Sequence, residues 1–233
     1  MRDLISTQAF AIMISLVAFE IGCIISKKTK LAILNPLLVS IILIIAFLKY
    51  FNISVSDYNK GGQFISFFLS PATVVLAVPL YKKIKLFKEN ALPIFCGIFF
   101  GTLSGIITVI VLSHSFGISK SLDLSIIPKS ITTPIGVEVS KQLGGIPSIT
   151  VAAIILTGII GAIIGPGVFK VLNIKDKIAI GVALGTASHA VGTSKAIELG
   201  ETEGAMSSLS IGIAGLITVL VVPIMTKIFH SLI

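Results

Sequence analysis

Apolar residues along this chain gather into long runs separated by short polar breaks. The runs predict spans over 6–26, 31–49, 63–81, 91–113, 149–170, 177–196 and 205–229. Several reach the ~20 residues needed to cross a hydrocarbon layer ~30 Å thick. They are Leu/Ile-rich without period-2 alternation, which predicts helices rather than barrel strands. Three segments break the apolar frame: Leu69–Thr73, Lys129–Glu138 and Gly185–Lys195. The first and third echo each other at an offset of 115, with Ser70-Pro71-Ala72-Thr73-Val74 opposite Gly185-Thr186-Ala187-Ser188-His189. At the same offset Gly97 falls on Gly212, and the apolar run from Ala91 falls on the one from Met206.

Charge turns this echo into a topology. The linker after the first break is basic (Lys82, Lys83, Lys85, Lys88), and the one after the second is acidic (Glu198, Glu201, Glu203). Because basic loops stay cytoplasmic, the contrast predicts two halves of opposite orientation. Lys27, Lys28 and Lys30 place the first loop inside and the N-terminus outside. The segment 128–145 carries Lys129, Glu138 and Lys141 and is too polar for a lipid-facing span. If it does not cross, Lys170, Lys175 and Lys177 fall inside, the acidic loop outside and the C-terminus in the cytoplasm. If it crosses, every later loop violates the charge rule. The expectation is a single transmembrane domain over 1–233, all-α and polytopic. Its inverted repeats cover about 1–113 and 128–229, two broken helices (63–81 and 177–196) meet near the midplane, and 128–145 is re-entrant or buried.

Composition agrees: 55% of residues are hydrophobic, 12% are charged, and the mean hydropathy is +1.07. The net charge of +8 sits in short lysine loops, which suits topology and anionic lipid rather than nucleic acid. Cys23 and Cys96 stand alone in separate runs, so no metal, redox or cofactor chemistry is expected. Glu20 interrupts the first run and no small-residue cleavage site follows it, so a retained span is expected rather than a removed signal peptide.

The breaks carry the candidate chemistry. A half-helix N-terminus offers free N–H groups and about half a positive charge, enough to hold an anion at membrane depth. Pro71 suits the start of such a half-helix, with Ser70 and Thr73 as caps around Ala72. Thr186, Ala187 and Ser188 offer the same chemistry in the second break. The alternative is that these small residues let helices cross closely. His189 could donate to a carboxylate or carry a proton. Lys129 beside Ser130, Thr132 and Thr133 forms a candidate anion clamp. Glu138 is a proton-carrier candidate, or else the i,i+3 partner of Lys141. Lys195 reads as an interfacial anchor, and Glu20 has no assigned partner. No catalytic constellation is expected: His189 with Ser188 and Glu138 is the one candidate set, without zinc-type spacing.

These motifs resemble the LrgB/CidB family of bacterial membrane proteins. The carrying residues are Pro128-Lys129-Ser130-Ile131-Thr132-Thr133-Pro134-Ile135, Gly144-Gly145-Ile146-Pro147-Ser148, Gly165-Pro166 and Ala187-Ser188-His189-Ala190-Val191-Gly192-Thr193. In the first half, Ser70-Pro71-Ala72-Thr73 and Pro79-Leu80-Tyr81 match. The chain is also similar to the LrgB-like half of the plant chloroplast glycolate/glycerate translocator. The resemblance implies a bacterial cell-membrane protein that transports small monocarboxylates of the pyruvate, glycolate or glycerate class, with a separate small LrgA-like partner. It equally implies the alternative of a holin- or antiholin-like regulator of murein hydrolases and autolysis. The family's Pro-Lys-Ser-x-Thr-Thr-Pro motif carries over onto Lys129, Ser130, Thr132, Thr133 and Pro134, and its Ser-His-Ala-x-Gly-Thr motif onto Ser188, His189, Gly192 and Thr193; all of these but Pro134 are candidate substrate contacts. Where the family has arginine after its Gly-Thr, this chain has Lys195, which keeps the charge but loses bidentate carboxylate recognition. A homo-oligomer, membrane lipid and a small carboxylate are the expected partners.

Overall fold

The computed structural model describes residues 7–29, 31, 34–68, 71, 75 and 77–232. Of the first candidate break, Ser70, Ala72 and Thr73 therefore lie outside the described residues. The chain divides into two compact units, 1–75 and 76–233, and the described residues contain helices and turns but no strand. The protein is an all-α polytopic membrane protein, and the described residues hold four helices long and apolar enough to span a bilayer.

The first unit holds three helices: α1 (Gln8–Thr29), α2 (Pro36–Tyr50) and α3 (Val55–Phe67). Asn35 caps α2 by accepting from the Leu37 N–H, and Pro36 opens it with a fixed φ. Gly22 packs on the backbone of Pro36, and the rings of Phe10 and Phe47 lie 6.0 Å apart. α1 and α2 thus run antiparallel, as expected of consecutive spans. α3 is not apolar. Ser54 caps it and bonds reciprocally with Asp57, and Lys60 pairs with Asp57. Tyr58 meets Ser15 of α1 at 2.7 Å. The predicted span 63–81 is corrected: its first residues end α3, and Ala77–Lys82 forms a separate short helix, α4, in the second unit. The polar face of α3 displaces the hydrophobic register by one turn or more.

The second unit continues with α5 (Ile84–Glu89), α6 (Ala91–Ser115), α7 (Lys120–Ile126), a 3-10 turn (Ile127–Ser130) and α8 (Thr133–Leu143). Three longer helices follow: α9 (Pro147–Val171), α10 (Lys177–Leu199) and α11 (Glu201–Leu232).

Side-to-side contacts fix the directions. Along α6, Gly97 faces Val182 and Gly101 faces Thr186, so α6 runs parallel to the first half of α10. Gly161 and Gly165 of α9 face Ser188 and Leu184, an antiparallel relation. Beyond His189 the order reverses. Gly192 packs on the Leu184 carbonyl, eight residues back, whereas a straight helix would separate them by about 12 Å. Thr193 bonds Ser207 at 2.7 Å, and Gly204 packs on Ile197. α10 is therefore a hairpin: residues 177–188 enter, the chain turns at His189, and 190–199 return to the face they left.

This overturns the expected crossing of 177–196, and with it the separation of the two charged linkers. Glu201 accepts from Lys83 at 3.2 Å and lies 4.0 Å from Lys82, so the acidic and basic linkers share one face. It also overturns the expected opposition of 91–113 and 205–229. One cluster joins Ile94 and Ile98 to Met206 and Ala205, and another joins Ile106 and Ile110 to Val222, so α6 and α11 run in the same direction.

The segment 128–145 does not cross, as expected. It belongs to a second hairpin, entered through α7 and left through α8, whose 11 residues reach only about 16 Å. Its arms are tied near their base: the Ile146 N–H donates to Ser125 Oγ at 2.7 Å, and Ser121 Oγ donates to the Gly144 carbonyl at 3.4 Å. Gly144, at φ 85°, takes the left-handed conformation that ends α8. Because α6 and α9 run in opposite directions, each followed by a hairpin on the face where it ends, the hairpins enter from opposite faces. An inverted relation survives, between α6 with the first hairpin and α9 with the second.

Candidate functional site

The tips of the two hairpins meet beside the middle of α9. Gly136 of the first packs on Ile154, and His189 of the second packs on Ile154 and Gly158. These are the eighth and twelfth residues of the 25-residue helix. Non-helical backbone at that depth survives only where protein buries it or water reaches it. Pro134, in the first turn of α8, and His189 at its non-helical φ and ψ are the devices that make the two breaks.

Between the tips and α6 lies a cavity of about 960 Å³, wholly within the second unit. One wall is the glycine face of α6 (Gly97, Gly101, Gly105), and another is α9 through Thr157, Ile160 and Gly161. The first half of α10 forms the floor, ending at Thr186, Ala187 and Ser188, and Lys129 and Ser130 come from the first hairpin. Most of the lining is apolar; Asn90 and Asp176 lie at the outer end, and Lys129, Ser130, Thr186 and Ser188 at the tip end.

Lys129 is the cation there. Its ammonium donates to Ser130 Oγ at 3.3 Å and, among the described residues, has no acidic partner. Thr186 is 7% exposed; its hydroxyl oxygen is buried and, among the described residues, has no hydrogen-bond partner, while its Cγ2 methyl faces Gly101. Ser188, 1% exposed, presses its Oγ against Gly161. The first turns of α8 and of the returning half of α10 start at the tips, where N–H groups lack intrahelical acceptors. A desolvated cation, the Ser130 hydroxyl beside it and two helix N-termini together suit a small anion.

Of the residues singled out from sequence, Lys129, Ser130, Thr186, Ala187 and Ser188 come together here. His189 stands behind the tip: it is 3% exposed, and its Nε2–H donates to the Ile154 carbonyl at 3.1 Å. Thr193 and Gly192 pack against α11 and within the hairpin, respectively. Thr132 precedes α8 as its N-cap without a side-chain cap bond, and Thr133 begins that helix. Glu138 is exposed and accepts from Gln142 at 3.3 Å rather than from Lys141. Lys195 pairs with Glu198 at 2.8 Å, away from the cavity. Pro71 is exposed, in the other unit.

The sequence reading missed the wall of α6. Its signal was the i,i+4 recurrence of Gly97, Gly101 and Gly105, which hydropathy does not register. It also missed Asp176, which caps α10 by accepting from the Ala179 N–H at 2.7 Å and lines the outer end of the cavity. Among the described residues no group of three His, Cys, Asp or Glu could hold a metal ion.

Comparison with known proteins locates the chain. A family model described as the LrgB-like family matches residues 15–228. Proteins named antiholin-like protein LrgB, from Bacillus cereus and Bacillus anthracis, are each 39% identical over 218 residues, covering 93% of this chain and 95% of theirs. No solved structure matches significantly.

Proposed function

The chain belongs to the LrgB-like family, and from that premise we propose that it carries small monocarboxylates of the pyruvate, glycolate or glycerate class across the membrane. One observation supports the reading: a half-buried lysine that has no acidic partner among the described residues faces a cavity beside two hairpin tips. A charge held inside a membrane protein without a counter-ion implies a counter-ion that comes and goes. Opposed re-entrant elements around a central site also suit alternating access, since each tip can open toward its own face.

In this reading Lys129 and Ser130 hold the carboxylate, Thr186 and Ser188 end the floor beside them, and His189 positions the second tip. The face bearing Lys82–Lys88, Lys170, Lys175 and Lys177 is cytoplasmic by the charge rule. The end of α11 then lies outside, the reverse of the expectation from sequence. The membrane is the bacterial cell membrane, and a small LrgA-like protein is the partner.

A second reading is favoured by the relatives, whose names describe antiholin-like proteins and support a regulator of lysis more directly than a transporter. The two readings separate in one experiment. Purified chain in proteoliposomes, with and without the small partner, should take up labelled pyruvate or glycolate saturably. His189→Ala should reduce uptake by loosening the tip. If neither acid enters under either condition, transport fails and the regulatory reading stands.

A further inference from the structure

We propose that the apolar stretch of the cavity is a tail subsite, and that the site holds monocarboxylates with an apolar chain of medium length more tightly than it holds three-carbon acids. The inference rests on the transport reading above and deepens it by naming the ligand class.

The cavity measures about 960 Å³, at the upper end of the range that encloses drug-sized ligands. A three-carbon acid held at Lys129 fills a small part of it. The remainder is bounded by Pro93, Ile94, Ile160, Ile178 and Val182, whose side chains offer no hydrogen bond to water or to a polar ligand. An apolar chain lying against them gains about fourfold in affinity for each methylene it buries.

Charge fixes the direction of the ligand. At the tip end, the Lys129 ammonium has no acidic partner among the described residues. At the outer end stands the Asp176 carboxylate, which accepts from the Ala179 N–H at 2.7 Å. The flanking Lys175 and Lys177 are exposed and do not line the cavity. A carboxylate is drawn to the first end and repelled from the second, so the site selects an acid charged at one end alone. Its tail then runs from Ala187 toward Ala179, both of which are exposed and line the cavity. That stretch of α10 is about 12 Å long, room for roughly nine bonds of an extended alkyl chain.

The test measures binding of acetate, butyrate, hexanoate and octanoate to the purified chain by calorimetry in detergent, with the heat of partition into empty micelles subtracted. Affinity should rise by about threefold or more per methylene from butyrate to octanoate, and the rise should vanish in Lys129→Met. Adipate, with a carboxylate at each end, should bind at least about tenfold more weakly than hexanoate. Ala183 is exposed and lines the cavity between Ala179 and Ala187. Ala183→Leu should leave acetate and butyrate unchanged and abolish the advantage of octanoate, whereas Ala183→Ser should keep the wild-type series. The inference is overturned if affinity is flat in chain length, the result expected where a lipid chain already fills the cavity. It is also overturned if adipate matches hexanoate, or if Ala183→Leu weakens every acid alike. Pyruvate uptake into proteoliposomes is measured in parallel. Tight, Lys129-dependent binding of octanoate without pyruvate uptake removes the transport reading and keeps the subsite; pyruvate uptake with a flat series removes the subsite alone.

Discussion

At His189 the backbone takes φ 40° and ψ −128°, a region costing a non-glycine residue about 1–3 kcal/mol. Its ring is tethered to Ile154, so the residue trades strain for a fixed tip. The usual order of helix substitutions should therefore invert here. His189→Gly loses the tether but relieves the backbone, whereas His189→Ala loses the tether and keeps the strain. We predict that His189→Ala melts below His189→Gly by the equivalent of about 1 kcal/mol, measured by thermal unfolding in detergent; equal melting would remove the strain argument. Lys129, Ser130, Thr186 and Ser188 were legible from sequence because each is polar in an apolar frame. His189 was legible as a singular residue but not as a turn, since nothing in its side chain announces a positive φ. Gly105 was not legible, because a residue without a side chain leaves no hydropathy signal.

Each hairpin depends on two arms lying close enough to share polar contacts. In the first, Ser125 Oγ accepts from the Ile146 N–H and donates to the Ser121 carbonyl. Ser125→Ala should cost about 1 kcal/mol by removing the acceptor of that part-buried N–H, read as a lower melting temperature with the helix content of the folded protein unchanged. In the second, Gly192 has no room for a side chain against the Leu184 carbonyl. Gly192→Leu should split the arms and abolish a cooperative melt, whereas the same change at Gly212, where a Cβ meets no protein atom within 4 Å, should be tolerated. The breaks of both hairpins were visible as polar interruptions. Their return was not, because the apolar run that stops near Ala187 fits a broken crossing helix as well as one that folds back. Only the contacts between residues eight apart decide between the two.

Across the molecule, the linkers of opposite sign were read as lying on opposite faces, and they instead pair across one face through Lys83 and Glu201. The charge rule counts lysines near span ends and is blind to an acidic loop that neutralises them. The exposed pair itself contributes little stability; its value is topological. After replacement of Cys23 and Cys96, cysteines at Lys85 and Glu198 should label from the same side of the membrane and a cysteine at Ser121 from the other. Labelling of 85 and 198 from opposite sides would restore a crossing α10. The account as a whole claims that the tip cavity binds a carboxylate, and the chain's lack of tryptophan offers a clean probe of it. Ile160 lines the cavity and is 52% exposed, so Ile160→Trp would place a lone indole in the wall. The account predicts a saturable fluorescence change on adding pyruvate, absent in the Lys129→Met background. No change, or an equal change without Lys129, would contradict it.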